Sequence, residues 1–402
     1  MPIESARGSD RKEQVVGSIQ HLRGIAASLV VVSHCFIFAA ERDPALERYG
    51  LLRGFGAMGV AIFFVISGFI MYFTCRSRWT GEAAVAAGFL RRRLHRIVPL
   101  YWLLTGAMIA LAIVASLDGG GLDFGLAEVA GSLLFVPYGF DGMKFRPILG
   151  VGWTLVFEMF FYGLFALGLL FAKRIGMAVI LGLLAGFILL GRLPTHLPAP
   201  IAALAQPIIC LFAIGILIGW IRDKTSFRLS APAGALIMVG LMLGSPLLLW
   251  LWPPPPSQLW ASPALWIFSA TVVTAGVFTS SVAPNERGVA DRMGLLLGDA
   301  SYFLYLVHPI VLLMLGEIAE RLGLGSVLGA TAFAAGLFGA SLAAGIIGHL
   351  LIEKPLARLT RPIFEQQRPA GAVSARDVGM GRPTGIEPAT SGTTNRRSNR
   401  LS

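Results

Sequence analysis

Ionisable side chains inside otherwise apolar segments are the residues of this sequence best suited to chemistry. Arg23 and His34 lie in one apolar run, eleven residues apart. An α-helix would place both side chains on the same face, roughly 16 Å apart along its axis. Charged groups within a membrane segment are costly and therefore mark candidate functional sites. A snorkelling arginine and a histidine bonded to a neighbouring helix are the alternative interpretation.

A carboxylate occupies a second apolar run. Glu158 follows Trp153 and precedes Tyr162. Counted from the outer ends of their predicted spans, Glu158 and His34 lie at similar depth. A carboxylate beside a histidine holds it in one tautomer and makes it a better base. We therefore expect His34 and Glu158 to be the catalytic pair, with a charge pair that only joins two helices as the alternative.

Four arginines stand together before the third apolar run, in a segment that we interpret as a loop. Guanidinium groups match the oxygens of phosphates. This cluster therefore predicts a site for a phosphorylated ligand such as an acyl-CoA, whereas anchoring by the positive-inside rule is the alternative. The cluster comprises Arg91, Arg92, Arg93 and Arg96.

Three other segments carry further candidates. His308 lies about eight residues below the outer surface in its span, close to Tyr305, so it could line the same cavity as His34. Glu353, near the opposite face, could pair with the arginine cluster or with Lys354. Ser67 and Gly68, adjacent in the second run, favour close helix packing or a local bend over chemistry.

Composition places these residues in a membrane. Hydrophobic residues make up 55% of the 402 residues and charged residues only 14%, with a mean hydropathy of +0.72. Soluble domains carry about 25% charged residues, so a soluble globular protein is excluded. The apolar runs, each long enough to cross a bilayer, predict an all-α integral membrane protein with ten spans: residues 19–38, 56–73, 97–117, 152–172, 175–191, 201–221, 231–252, 264–279, 294–316 and 326–352.

Loop charges give this topology an orientation. The loops after the second, fourth, sixth and eighth spans hold thirteen Lys and Arg residues, against seven in the other loops. By the positive-inside rule, both termini face the cytoplasm. The three cysteines lack metal-ligand spacing, and the chain has no nucleotide-binding loop or zinc-protease motif. We therefore expect no bound cofactor, no metal and no nucleic-acid partner.

Taken together and in chain order, these segments resemble acyltransferase family 3, the bacterial membrane O-acyltransferases that include the succinoglycan-type exopolysaccharide acetyltransferases. The segments contain Arg23 with His34, Ser67-Gly68, Arg92 to Arg96, Trp153 with Glu158, Tyr305 with His308, and Glu353-Lys354. The resemblance covers roughly residues 18–360. It implies transfer of an acyl group, often acetyl from acetyl-CoA, to a hydroxyl of an exopolysaccharide or lipid-linked sugar at the bacterial inner membrane. The family's essential arginine and histidine correspond to Arg23 and His34. Its basic motif corresponds to Arg92, Arg93 and Arg96.

With this resemblance, the chain divides into a cytoplasmic segment (1–18), a membrane acyltransferase domain (19–360) and a disordered tail (361–402). We expect His34 and Glu158 to be catalytic, with acyl-CoA as a co-substrate. Direct transfer and a covalent intermediate both remain open. So do two other functions, a transporter or flippase without enzymatic activity and an acyltransferase for small molecules. The expected substrate-binding residues are Arg23, Arg91, Arg92, Arg93, Arg96, Trp153, Tyr162, Tyr305, His308 and Glu353.

Overall fold

Long apolar helices make up nearly all of the structure, as the segmented hydropathy predicts. The computed structural model describes residues 2–43, 52–117, 124–137, 147–193, 197–251, 256–279, 288–322 and 324–365. Within these ranges the chain forms helices and turns, with one isolated β-bridge between Leu229 and Thr279 and no strand. The all-α class is therefore confirmed.

Thirteen α-helices occupy the described ranges. They are α1 (Pro2–Ala40), α2 (Gly54–Cys75), α3 (Ala83–Ser116), α4 (Leu126–Leu133), α5 (Trp153–Leu169), α6 (Lys173–Leu190), α7 (Ala199–Leu204), α8 (Cys210–Lys224), α9 (Ala231–Leu251), α10 (Pro263–Phe278), α11 (Val289–Arg321), α12 (Leu324–Gly348) and α13 (Lys354–Glu365). A single π-helical turn, His349–Glu353, joins α12 to α13.

Seven segments of the described chain are long and apolar enough to cross a membrane: Gly17–Ala40, Gly54–Cys75, Ala83–Ser116, Gly150–Leu169, Lys173–Leu190, Val289–Arg321 and Gly329–Ile363. Two shorter apolar helices are Pro232–Leu241 and Pro263–Phe278. All ten predicted spans overlap helices, and the chain is a multi-pass membrane protein. The count of ten and the cytoplasmic position of both termini stay predictions.

Glycines at two helix crossings bring the central helices into close contact. A Cβ on Gly68 of α2 would collide with the carbonyl oxygen of Phe212 in α8, and one on Gly215 would collide with that of Val65. On α11, a Cβ on Gly298 would collide with the backbone of Gln20 in α1. Small residues permit such backbone approach in membranes. The prediction of close packing at Gly68 is confirmed.

The start of α3 differs from expectation. The arginine cluster is not in a loop, because α3 begins at Ala83 and carries the cluster in its third and fourth turns. The stretch before the cluster, rich in alanine, favours helix, and Pro99 is accommodated inside α3. The predicted domain boundary after residue 360 falls within α13, which ends at Glu365. Residues 366–402, most of the predicted tail, lie outside the described residues.

Candidate active site

A wide basic cavity opens between α1, α2, α3 and the π-helical turn. Its volume is about 590 Å³, and six cationic side chains line it against two carboxylates. This basic cavity is lined by Gln20, Arg23, Thr74, Arg78, Arg92, Arg93, His95, Arg96, Asp299, His349, Glu353 and Lys354, together with apolar residues. Three of the four clustered arginines are thus brought together. Arg91 lies on the same helix but is not among the lining residues.

Arg23 marks the place where the basic cavity continues into the bundle. Its side chain is 9% exposed, and its Nη1 donates to Gln20 Oε1 at 2.9 Å. Arg23, Arg93 and Arg96 line the basic cavity and also a second, narrower space. This central cavity has a volume of about 100 Å³ and is otherwise mostly apolar.

Glu158 is the carboxylate of the central cavity. Its Oε1 accepts hydrogen bonds from Tyr162 Oη at 2.5 Å and from Ser67 Oγ at 3.1 Å. Arg23, which lines the same cavity, lies close enough to Glu158 to interact with its charge. A carboxylate next to buried guanidinium groups offsets part of their desolvation cost. Glu158 therefore balances the cationic end of the central cavity.

The third space, the histidine cavity, is lined by one histidine of α1 and one of α11. His34 Nδ1 and His308 Nε2 lie 2.9 Å apart, within hydrogen-bond distance. His308 is fully buried, whereas His34 is partly exposed to a cavity of about 670 Å³. The expectation that His308 lines the same cavity as His34 is confirmed in position.

Aromatic rings form one wall of the histidine cavity. The rings of Trp153 and Trp260 pack with their centroids 5.4 Å apart, and Phe157 meets Trp153 edge-on. Gln206 and Glu41 add polar side chains to the lining. Such a surface, with apolar ring faces beside polar groups, suits a sugar ring, which has apolar C–H faces and hydroxyl edges.

Tyr305 separates the central cavity from the histidine cavity. Its ring packs edge-on against the rings of Phe63, at 5.9 Å, and of His308, at 6.1 Å. Its hydroxyl lies 2.9 Å from Thr154 Oγ1 and donates to the Val151 carbonyl at 3.2 Å. Because Tyr305 lines the central cavity and touches His308, only one layer of side chains divides the two spaces.

The expected pairing of His34 with Glu158 is wrong. His34 contacts His308 and lines the histidine cavity, whereas Glu158 bonds Tyr162 and lines the central cavity. Trp153 and Phe157 lie four positions apart on α5, about one helical turn, and both line the histidine cavity, whereas Glu158, one residue further, lines the central cavity. His34 on α1 and Glu158 on α5 were predicted at similar depth, but depth does not determine the direction in which a side chain leaves its helix.

Glu353 faces the basic cavity and also bonds a histidine. Its Oε2 lies 2.7 Å from His349 Nδ1, four residues earlier in the π-helical turn. Single π-helical turns often occur at functional sites. Of the two predicted partners, the arginine cluster shares this cavity with Glu353, and so does Lys354.

Comparison with known proteins identifies the family. A family model described as an acyltransferase domain, Acyl_transf_3, matches residues 16–349. The chain belongs to acyltransferase family 3. It is therefore an acyltransferase that uses an acyl donor, and the transporter alternative is not supported.

Two curated relatives extend over most of the chain. Exopolysaccharide production protein ExoZ of Rhizobium meliloti (strain 1021) is 33% identical over 326 residues, which are 79% of this chain and 94% of that protein. Acyltransferase MdmB of Streptomyces mycarofaciens is 24% identical over 391 residues, which are 88% of this chain and 95% of that protein. No solved structure matches the chain.

Several site residues of this family member were missed by sequence reasoning. Ser67 was assigned to packing, yet it bonds Glu158. Trp260 lies in the connection between two predicted spans, and Gln206 lies inside the predicted span 201–221; both line the histidine cavity. The partner of Ser67 could have been suspected from its polar hydroxyl within an apolar helix. Gln206, a polar amide within a predicted span, carried the same signal, whereas Trp260 carried none.

Proposed function

We propose that the protein transfers an acyl group, with acetyl as the preferred group, from acyl-CoA to a hydroxyl of an exopolysaccharide or its lipid-linked precursor. The observation that carries the proposal is the placement of three spaces along the bundle. On α1, Arg23 lines the basic cavity and His34 lines the histidine cavity. On α11, Asp299 lines the basic cavity and His308 lines the histidine cavity. Donor and acceptor would therefore enter from opposite ends.

The basic cavity is the proposed donor site. Phosphate groups of a CoA thioester would be bound by Arg78, Arg92 and Arg96, whose guanidinium groups form charge-assisted hydrogen bonds with phosphate oxygens. With the predicted orientation, this cavity faces the cytoplasm, where acyl-CoA is made. The uncharged arm of the donor would extend past Arg23 into the central cavity, where most of the lining is apolar.

The histidine cavity is the proposed place of chemistry. His34 accepts the proton of the acceptor hydroxyl while the hydroxyl oxygen bonds to the acyl carbon of the thioester. The carbon–sulfur bond then breaks and releases CoA thiolate. His34 then returns the proton to the thiolate, so the enzyme ends unchanged. No Ser, Thr, Cys or Lys is found among the described residues lining this cavity, which favours base catalysis over acylation of such a side chain.

The aromatic wall is the proposed acceptor site. Trp153 and Trp260 would stack on the sugar ring, and Gln206 would bond a hydroxyl. The printed name of the ExoZ relative refers to exopolysaccharide production, which supports a carbohydrate acceptor. In this proposal the protein lies in the bacterial inner membrane with ten spans and with the histidine cavity on the outer side.

Release of free CoA tests the donor assignment. Detergent-solubilised protein, given acetyl-CoA and lipid-linked sugar, should release CoA thiol, and Arg92→Gln should raise the KM for acetyl-CoA about tenfold through loss of a charge-assisted contact. Arg174→Gln makes the same change of charge at an exposed position outside all three cavities, so its KM should stay near wild type. Equal effects of both substitutions would leave Arg92 as a topology anchor only.

A further inference from the structure

The contacts of His308 determine which nitrogen of His34 is free to act as a base. His308 Nδ1 lies 3.2 Å from the carbonyl oxygen of Leu304, one turn earlier in α11. A carbonyl oxygen can only accept a hydrogen bond, so His308 Nδ1 must carry a proton. In the neutral ring, Nε2 then has a lone pair and accepts.

Pro309 helps to fix this arrangement. In a regular helix the backbone N–H of residue 309 would donate to the carbonyl of Tyr305, but proline has no N–H. The Tyr305 carbonyl is consequently left without that helical donor, and it lies within reach of the His308 ring as a second acceptor. The Leu304 carbonyl at Nδ1, with the Tyr305 carbonyl nearby, makes the opposite tautomer unfavourable, because the lone pair of Nδ1 would then face that of a carbonyl oxygen.

The relative placement of the two rings also determines the tautomer of His34. Their planes differ by 21° and their centroids are 5.0 Å apart. With the nitrogens at 2.9 Å, this separation fits two rings that meet edge to edge, in line with an N–H bond, and it is too long for rings stacked in van der Waals contact. Because His308 Nε2 accepts, His34 Nδ1 must donate.

We infer that His308 is a positioning residue that, held by the carbonyls before Pro309, keeps His34 in the tautomer with a proton on Nδ1 and a lone pair on Nε2. The Nε2 atom has no hydrogen-bond partner among the described residues, and His34 lines the histidine cavity. When Nε2 takes the acceptor proton, the positive charge on His34 is stabilised by its Nδ1–H bond to neutral His308. This inference rests on the proposed role of His34.

Two isosteric amides at position 308 provide the kinetic test. The side-chain oxygen of His308→Gln can occupy the place of Nε2 and accept from His34, whereas the shorter side chain of His308→Asn reaches only the place of Nδ1. We expect kcat for acetyl transfer to stay near wild type in His308→Gln and to fall on the order of 10²-fold in His308→Asn, with the KM for acetyl-CoA unchanged in both. Equal kcat values in the two variants would overturn the inference.

Histidine NMR gives a second test that does not depend on the catalytic activity of any variant. The sequence contains six histidines, so ¹⁵N-histidine spectra of the protein in liposomes can be assigned by single substitutions. We expect both His34 and His308 to be neutral with the proton on Nδ1. A His34 signal protonated at Nε2 would contradict the inference. If the tautomers are as expected but His34→Ala remains fully active, the proposed function fails and not the positioning by His308.

Discussion

At the scale of single residues, the carboxylate of Glu158 and the partner of His34 are different groups, although the sequence suggested that Glu158 would be that partner. Glu158 bonds Tyr162 and Ser67 and balances the arginines of the central cavity, whereas His34 is bonded by His308. In the revised account, Glu158 shapes the path of the donor and does not orient the base. The two roles lead to different kinetics.

Substitution of Glu158 distinguishes these roles. Glu158→Gln keeps an oxygen that can accept from Tyr162 but removes the charge that balances Arg23. We expect the KM for acetyl-CoA to change while kcat stays within about tenfold of wild type, because the chemistry at His34 is left intact. A loss of kcat as large as that of a missing base, about 10²-fold or more, would restore Glu158 to the catalytic pair.

Stability of the same variants gives an independent check. Glu158→Ala leaves the hydroxyls of Tyr162 and Ser67 without their acceptor, which should cost about 1–3 kcal/mol. Glu158→Gln, which keeps the acceptor, should cost less. Thermal unfolding in detergent would measure the difference, and equal midpoints for the two variants would show that Glu158 contributes nothing through its hydrogen bonds.

At the scale of helices, the cavities exist because particular helices approach closely. Gly298 brings α11 against α1 near Gln20, and further along the same two helices His308 contacts His34. Gly68 and Gly215 bring α2 against α8 in the same way. The positions of the site residues therefore depend on glycines that have no chemistry of their own.

Gly68→Ala tests the importance of the α2–α8 crossing. The added Cβ would meet the carbonyl oxygen of Phe212, and overpacking of this kind costs about 1–3 kcal/mol. Gly182→Ala in α6 is the matched control, since no atom lies within 4 Å of its would-be Cβ and alanine favours helix by up to about 1 kcal/mol. We expect a lower unfolding midpoint for Gly68→Ala only; equal midpoints would mean that α2 and α8 are not in such close contact.

Much of this architecture could be predicted from the sequence. Every span predicted from hydropathy overlaps a helix. The ionisable residues within those spans, Arg23, His34, Glu158 and His308, all line the central or the histidine cavity. Partners could not be predicted, because the rotation of one helix against another is set by packing over the whole bundle. His34 and Glu158 matched in depth but face different cavities, and Trp260 reaches the site from a connection with no charge or motif to mark it.

At the scale of the whole molecule, the account requires a fixed orientation in the membrane. Arg78, Arg92, Arg93 and Arg96, from one of the predicted loops rich in Lys and Arg, line the basic cavity together with residues of the π-helical turn. A donor from the cytoplasm and an acceptor outside it can meet only if the basic cavity faces inward. Topology is therefore a condition of the mechanism.

Reporter fusions test this condition. Alkaline phosphatase, active only outside the cytoplasm, and a green fluorescent protein that fluoresces only inside it can each be fused after Glu365. We expect fluorescence and no phosphatase activity, because an even number of spans returns the chain to the cytoplasmic side. Phosphatase activity at this fusion point would reverse the orientation and place the basic cavity away from cytoplasmic acyl-CoA.

The central claim is that His34 promotes transfer of an acyl group from a CoA thioester to a carbohydrate hydroxyl. Protein in liposomes, supplied with acetyl-CoA labelled in its acetyl group and with lipid-linked oligosaccharide, allows the label in alkali-labile esters of the sugar to be measured. We predict steady incorporation by the wild type and a rate about 10²–10⁴-fold lower for folded His34→Ala. Incorporation by His34→Ala at the wild-type rate, or none by the wild type, would contradict the account.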